Sequence, residues 1–349
     1  MSIIDDEVAT TLPSKPTGSP ILSRVLRFRE LAIVVAIALV FGATYLKNSQ
    51  IASAANVQQL LSGPAIIILL AVGETLVIIT RNVDLSVGSV LGLSAYLDGV
   101  LFEHNPHLAV PLALLAGLGV GLVCGMVNGV IVAYARVPSL VVTLGMLYIV
   151  RGVDAIVVNG HQIDPSSIPQ SFVNFGSNNV LGIPILFIVA VVAVAIVGYA
   201  MRSFRAARDL YAIGSNPDAA VLAGIPVQRR IFSAFAISGA LAGLGGALYL
   251  AQLATVSSVA GTGYELNVVA AVVVGGVAIF GGSGTVLGAA LGALLLNTIN
   301  GALDTANIAQ FWHQAIAGAM LLAAIAFDRF VVLRTDRVLR VEGAQRDNG

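Results

Sequence analysis

Most of this sequence consists of long apolar stretches that are separated by short polar connections. Of its 349 residues, 57% are hydrophobic and only 10% are charged, whereas soluble domains carry about 25% charged residues. An apolar run of about 20 residues is long enough to cross the hydrocarbon core of a bilayer as a helix. We therefore predict an all-α polytopic membrane protein of the cell membrane.

The apolar stretches predict about ten transmembrane helices and three regions of chain. The predicted regions are a disordered cytoplasmic tail over 1–30, a transmembrane domain over 31–329, and a basic cytoplasmic tail over 330–349. The approximate spans are 31–46, 57–80, 85–102, 109–135, 139–158, 181–201, 229–252, 266–280, 285–302 and 312–328. The eighth and ninth are short and are parted only by Gly281-Gly282-Ser283-Gly284, so a broken or re-entrant pair is an alternative to two full spans.

The positions of Lys and Arg predict the orientation of these helices. Sixteen of the 18 basic residues fall in segments that lie inside if the N-terminus is cytoplasmic. Lys47 is the one basic residue outside, and Arg151 lies within a span. Because cytoplasmic loops are enriched in Lys and Arg, we predict that both termini are cytoplasmic.

The segment 202–228 is the longest basic, polar interruption between apolar stretches. Asn216 is a good helix cap, Pro217 suits the first helical position, Asp218 suits the first turn, and Gly224 suits a left-handed stop. We therefore predict a short capped helix at the cytoplasmic face. It is either a surface that another protein binds, or part of an ordinary loop whose flanking arginines anchor it to the membrane.

Several polar side chains fall inside predicted spans, where Arg or Asp at a helix centre costs about 2.5–3.5 kcal/mol on insertion scales. Such groups should face the interior of the bundle. One interpretation is a polar translocation path for a hydrated solute; the other is a satisfied structural pair, since Arg151 and Asp154 lie three residues apart on one helix face. The candidate path residues are Glu74, Arg151, Asp154, Asn267 and Asn297.

Glycines recur at every fourth position in the fourth span, at Gly117, Gly121, Gly125 and Gly129. Small residues at this spacing let helices approach closely in lipid. The pattern predicts a packing seam inside one bundle, with a face for a second copy as the alternative.

Recognisable catalytic and nucleotide-binding motifs do not occur in the sequence. A phosphate-binding loop requires Gly-Lys followed by Ser or Thr, but the only lysines are Lys15 and Lys47. Any ATP used by this protein must therefore be hydrolysed on another polypeptide. There is no His-Glu-x-x-His or Gly-x-Ser-x-Gly, and His104 and His107 in a loop are more typical of solvated side chains than of a zinc site. We expect no enzyme activity and no bound metal or cofactor.

Four motifs resemble one family of membrane proteins. They are Arg81-Asn82-Val83-Asp84-Leu85-Ser86-Val87-Gly88-Ser89, Pro138-Ser139-Leu140-Val141-Val142-Thr143-Leu144-Gly145, Tyr211-Ala212-Ile213-Gly214-Ser215-Asn216, and Gly261-Thr262-Gly263-Tyr264-Glu265-Leu266. Together they look like the permease subunit of bacterial ATP-binding cassette sugar importers, in the ribose, xylose, rhamnose and autoinducer-2 branch. The sequences around Pro138–Arg151 and Trp312-His313 look more like those of rhamnose and autoinducer-2 permeases than those of ribose permeases.

The resemblance implies an importer permease fold, a function and a set of partners. The chain would form a pore with a second permease copy or a paralogue and move a monosaccharide across the inner membrane. A partner ATPase would bind ATP and Mg²⁺, and an extracytoplasmic solute-binding protein would deliver the sugar; no nucleic acid is implied. The coupling residues carried over by position are Gly214, Ser215, Asn216, Asp218 and Gly224. The Asn82, Asp84 and Ser86 motif would fix the fold near the gate.

Two other classes of function compete with this reading. An ion- or proton-coupled secondary transporter would use buried acids such as Glu74 and Asp154, of which the spans hold few. An intramembrane enzyme would need a catalytic set that the sequence lacks. The capped cytoplasmic helix favours the importer permease.

Overall fold

A computed structural model describes residues 20–309 and 312–326 of the chain. The predicted C-terminal tail over 330–349 and most of the predicted N-terminal tail lie outside the described residues. The described part is almost entirely helical, which confirms the predicted all-α class.

Fourteen helices follow one another along the described residues. They are α1 (Pro20–Lys47), α2 (Ala54–Ser62), α3 (Ala65–Ile79), α4 (Val87–His104), α5 (Val110–Ala133), α6 (Ser139–Val158), α7 (Gln170–Ser177), α8 (Ile185–Ser203), α9 (Arg205–Ser215), α10 (Pro217–Leu222), α11 (Val227–Leu253), α12 (Tyr264–Val274), α13 (Val286–Thr305) and α14 (Trp312–Ala326). Short 3₁₀ turns cover Ser49–Ala52 and Pro165–Ser167. A small hairpin pairs β1 (Asn179–Val180) antiparallel with β2 (Ile183–Pro184).

Seven helical stretches in the described residues are long and apolar enough to cross a membrane. One of them, Ala54–Ile79, comprises α2 and α3 with a break at Gly63-Pro64. The predicted spans 85–102, 266–280 and 312–328 correspond to α4, α12 and α14, which are not among the seven. The polytopic fold is therefore confirmed, and the number of ten spans stays a prediction.

The centre of the bundle is the crossing of α5 and α11, where glycines from the two helices meet. A Cβ atom added at Gly121 would lie 2.1 Å from the carbonyl oxygen of Gly239, and one added at Gly243 would lie 2.1 Å from that of Gly117. The backbones are thus in direct contact, as small residues allow. The predicted seam lies inside one bundle, so this glycine face is not available to a second copy.

The connections between helices gather at two ends of the bundle. At the predicted cytoplasmic end, Gly282 N–H donates to the Ile79 carbonyl at 2.9 Å. At the other end, Ile163 and Val256 form an isolated antiparallel bridge, and His161 Nε2 lies 3.0 Å from Glu103 Oε1.

The stretch predicted as span 266–280 is not a continuous helix. α12 ends at Val274, and its 11 residues extend only about 16 Å, or half a bilayer. The other half of that thickness is covered by residues 254–263, which precede α12. We call this non-helical stretch the descending segment. Glycines at 261, 263, 276, 281 and 282 have positive φ, so the backbone turns at both ends of α12.

Contacts with α4 show how deep the descending segment reaches. Gly99 of α4 lies against Ile163 at the external end, whereas Gly92 lies against the Ala260 carbonyl and Gly88 against Gly261. Along a helix, Gly92 and Gly88 are about 10 Å and 16 Å from Gly99. The segment therefore runs from the outer end to near the middle of the bundle, where α12 begins.

The α5–α11 seam gives a prediction about stability. Gly121→Ala should destabilise the protein by about 1–3 kcal/mol or more, because the new methyl group would meet backbone atoms that cannot rotate away. The matched control is Gly119→Ala on the same helix, since nothing lies within 4 Å of a Cβ there. Thermal unfolding in detergent measures both; equal midpoints for the two variants would contradict the seam.

Candidate functional site

Two helices, and not one, form the predicted cytoplasmic connection between α8 and α11; we call residues 205–222 the docking segment. Its first helix, α9, was missed because its arginines hide its apolar face. Leu210 and Ile213 are buried three residues apart on the side that faces the bundle. The spacing of these two apolar residues is the signal in the sequence from which α9 could have been predicted.

The second helix, α10, is the predicted short capped helix. The Asn216 side chain accepts a hydrogen bond from Ala219 N–H at 3.0 Å, Pro217 occupies the first position, and Gly224 has a φ of 75°. Ser215, Asn216, Asp218 and Gly224 are exposed. Leu222 is 89% exposed and its neighbour Val221 is 59% exposed, so the helix presents an apolar tip at the predicted cytoplasmic end.

Two of the arginines predicted as membrane anchors bind within the chain. Arg230 on α11 forms a salt bridge with Asp209 on α9, with a nitrogen–oxygen distance of 2.9 Å. Arg208 Nη1 donates to the carbonyls of Arg202 at 2.8 Å and Ser203 at 3.1 Å. These contacts fix the docking segment to the helices on either side of it. The anchoring of these arginines to the membrane stays a prediction.

Arg81 clamps the end of α9 from the loop after α3. Its guanidinium donates from Nε to the Gly214 carbonyl and from Nη2 to the Ser215 carbonyl, the latter at 2.6 Å. A cation suits this position because the last carbonyls of a helix carry partial negative charge. Gly214 is buried there, and a Cβ on it would lie 1.8 Å from the Ile79 carbonyl oxygen. Of the predicted coupling residues, Gly214 therefore lies behind the exposed surface.

The glycine loop between α12 and α13 meets the same place. Gly282 contacts Ser215 as well as Ile79, and the Tyr211 hydroxyl donates to the Gly284 carbonyl at 3.0 Å. Burial raises the pKa of Tyr211, an effect that Arg202 opposes, so the phenol remains a donor at neutral pH. The docking segment is thus hydrogen-bonded both to the loop after α3 and to the α12–α13 loop.

The Asn82, Asp84 and Ser86 motif folds the loop after α3 back against its own helix. Asp84 Oδ1 accepts from Ser86 N–H at 3.0 Å and from Ser86 Oγ at 2.6 Å, and Asp84 N–H donates to Glu74 Oε1 at 3.0 Å. Asn128 on α5 donates to Ser86 Oγ at 2.9 Å. Glu74 is therefore part of a buried network that holds the start of α4 against α3 and α5.

Arg151 and Asp154 lie together on α6, beside the descending segment. Arg151 Nη1 donates to the Ala260 carbonyl. Both carboxylate oxygens of Asp154 are buried without a hydrogen-bond partner among the described residues, and so is Oε2 of Glu265. Gly92 and Gly88, one turn apart on α4, contact the Arg151 guanidinium and the Glu265 carboxylate respectively. The sequence did not single out Glu265, although this residue occurs in the fourth motif.

The candidate path residues do not converge on one site. Asn267 is half-buried in the first turn of α12, close to Glu265 in sequence. Asn297 donates to the Leu60 carbonyl at 3.2 Å and lines a separate cavity of about 210 Å³ between α2 and α13. Arg151, Asp154 and Glu265 form one cluster, Glu74 a second and Asn297 a third.

The contact of Gly214 with α3 gives a prediction about the docking segment. Gly214→Ala should displace α9, because the methyl group cannot share space with the Ile79 carbonyl. We expect amide hydrogen exchange to rise at least about tenfold in peptides covering 205–222 and 277–284. Gly198→Ala on α8 is the control, since nothing lies within 4 Å of a Cβ there. Unchanged exchange in the Gly214 variant would show that this junction is not tight.

Comparison with known proteins assigns the fold to a family. Residues 56–325 match the family described as branched-chain amino acid transport system / permease component. The chain is 34% identical to the autoinducer 2 import system permease protein LsrC of Escherichia coli (strain K12 / DH10B) over 312 residues, which is 89% of this chain and 90% of that protein. It has the same identity and coverage with LsrC of Shigella flexneri. No solved structure matches the chain.

These relatives and the seven apolar helices show a multi-pass protein of the inner membrane. With a match over most of its length, the chain belongs to the family of branched-chain amino acid transport system permease components.

Proposed function

We propose that this chain is the pore-forming permease subunit of an ATP-binding cassette importer for a small, hydroxyl-rich solute. The observation that carries the proposal is the docking segment. It exposes an apolar tip at the predicted cytoplasmic end, and it is hydrogen-bonded to the loop after α3 and to the α12–α13 loop. A partner that moves this segment would therefore move membrane helices directly.

The partner that fits is an ATPase that binds ATP and Mg²⁺ itself, because the chain has no Lys in a phosphate-binding loop. Val221 and Leu222 offer the apolar anchor, and full burial of such side chains contributes about 1.5–3 kcal/mol each. Ser215, Asn216 and Asp218 surround that anchor with exposed polar groups. This arrangement resembles an interface with an apolar centre and a polar rim.

For the solute, we propose a monosaccharide such as a pentose, a rhamnose-like sugar or an autoinducer-2-like molecule. The curated relatives named above are autoinducer 2 import permeases. The unpartnered carboxylate oxygens of Asp154 and Glu265 can accept hydrogen bonds from hydroxyl groups. A solute-binding protein would deliver the sugar from outside, and a second permease copy or a paralogue would complete the pore.

An ion- or proton-coupled secondary transporter is the alternative, favoured by the buried carboxylates of Glu74 and Asp154. Transport into proteoliposomes separates the two. The importer requires the ATPase and ATP, whereas a secondary transporter would work in ATP-free vesicles under an imposed gradient. Uptake that persists without any ATPase would contradict the proposal.

The apolar tip gives the sharpest mutational test. Leu222→Glu should reduce ATPase binding to the permease at least about tenfold, because it removes an apolar side chain whose full burial contributes about 1.5–3 kcal/mol. The matched control is Leu181→Glu, a change at a 99% exposed leucine on the opposite end of the bundle. Co-purification of a tagged ATPase with each variant measures the effect.

Equal recovery of the ATPase with both leucine variants would exclude α10 as the contact. Equal yields of the two permease variants in membranes would show that the substitutions act on binding and not on folding.

A further inference from the structure

Two carboxyl groups lie side by side in the interior of the bundle, where the loop after α3 leads into α4. Glu74 on α3 and Asp84 in the loop are both buried, and Asp84 N–H donates to Glu74 Oε1 at 3.0 Å. An ionised carboxylate is costly to bury unless hydrogen bonds and an opposite charge compensate for the lost water. The pair therefore requires compensation from its surroundings.

Hydrogen bonds serve Asp84 better than Glu74. Asp84 Oδ1 accepts from the Ser86 N–H and from the Ser86 hydroxyl, whereas Glu74 Oε2 has no hydrogen-bond partner among the described residues. Neither carboxyl group takes part in a salt bridge within residues 29–309 and 312–326. Arg81, the nearest basic residue in the sequence, donates instead to carbonyls of the docking segment. In this part of the chain, no cationic side chain is paired with the two carboxyl groups.

The Asn128 side chain on α5 brings a second oxygen without a partner into the same cluster. Because the Ser86 hydroxyl donates its hydrogen to Asp84, its oxygen must accept from Asn128 Nδ2, which lies 2.9 Å away. This bond fixes the orientation of the amide group. Asn128 Oδ1 is consequently buried with no donor from the described residues.

A third oxygen of this kind lies on α11. The Ser238 hydroxyl is buried without a partner in the described part of the chain, and it packs against Gly73, the residue before Glu74. Three helices thus place acceptor oxygens that lack donors around a region that already holds two carboxyl groups. Bound water could donate hydrogen bonds there, but it would bring no positive charge. We call the side chains of this region the oxygen cluster: Glu74, Asp84, Ser86, Asn128 and Ser238.

We propose that the oxygen cluster binds one monovalent alkali cation, Na⁺ or K⁺, as a fixed part of the fold. Carboxylate and amide oxygens are hard ligands, which suit hard cations and not Cu⁺ or Zn²⁺. Ca²⁺ takes about six to eight oxygens, and Mg²⁺ keeps several of its waters. Every side chain of the cluster is at most 1% exposed, which leaves little room for a hydration shell. A singly charged ion therefore fits these ligands better than a divalent one.

The ion would join α3, α5 and α11 to the start of α4. The sequence predicts no bound metal, and the described residues contain no group of three His, Cys, Asp or Glu side chains that could hold one. The oxygen cluster differs from such a group because an amide and hydroxyl groups supply part of its oxygens. The ion stays in the fold and is not transported, so this inference goes beyond the proposed function and does not depend on it.

Thermal unfolding of the purified permease in detergent tests the ion. At fixed pH and ionic strength, the midpoint should be at least about 2 °C higher in NaCl or KCl than in N-methylglucamine chloride, because an ion that binds only the folded state stabilises it. Glu74→Gln keeps the size of the side chain and removes its charge, so this variant should lose the difference. Asp98→Asn is the matched control, since Asp98 is also buried with an unpartnered oxygen but lies elsewhere on α4; it should keep the difference.

Direct binding of radioactive sodium and of radioactive rubidium, which stands in for K⁺, gives a second measurement that needs no variant to fold. The unchanged chain should bind one of the two saturably, at about one ion per chain, and the preferred ion distinguishes a sodium site from a potassium site. Asn128→Ala should weaken this binding at least about tenfold, because an oxygen ligand is lost.

Equal midpoints in all the salts, together with no saturable binding of either isotope, would overturn the inference and indicate that protonation of a carboxyl group compensates for the burial. Stabilisation by CaCl₂ or MgCl₂ alone would overturn the monovalent ion. A salt response that persists in Glu74→Gln and disappears in Asp98→Asn would show that the ion binds outside the oxygen cluster.

Discussion

Direct backbone contact between α5 and α11 is the constraint on which the rest of the structure depends. Gly121 and Gly125 of α5 meet Gly239 of α11 with no side chain between them. Close approach lets dispersion forces act between whole helix backbones, which matters in lipid because burial of apolar surface drives no association there. Both α3 and α4 pack against α11, so the polar networks of the bundle are arranged around this crossing.

The sequence predicted the elements whose signals are local. Asn216, Pro217 and Gly224 specify α10 by capping and by backbone conformation, and the glycine spacing of α5 specifies a seam. What could not be predicted depends on contacts between distant segments. The arginines of α9 concealed its buried face, and Arg81 gives no sign in the sequence that it binds Gly214 and Ser215, which lie more than 130 residues away.

The predicted eighth span is broken, as the alternative of a broken or re-entrant pair allowed. Residues 266–280 are apolar enough to suggest a helix, but the backbone turns at Gly276, Gly281 and Gly282, where the hydropathy of the sequence does not change. The preceding segment looks like an external loop because it contains Ser257, Ser258 and Thr262. This segment reaches the middle of the bundle because Gly88 and Gly92 of α4 have no side chains and leave space for it. The hydropathy of the sequence does not indicate where such space exists.

The start of α4 and the start of α12 near the middle of the bundle have an electrostatic consequence. The N-terminus of a helix carries about half a positive charge, and Glu265 lies both in the first turn of α12 and against Gly88 in the first turn of α4. The N-termini of these two helices thus face the carboxylate of Glu265, and the Arg151 guanidinium lies one turn further along α4, against Gly92. These positive charges offset the charge of a carboxylate that would otherwise be costly so far inside a membrane protein.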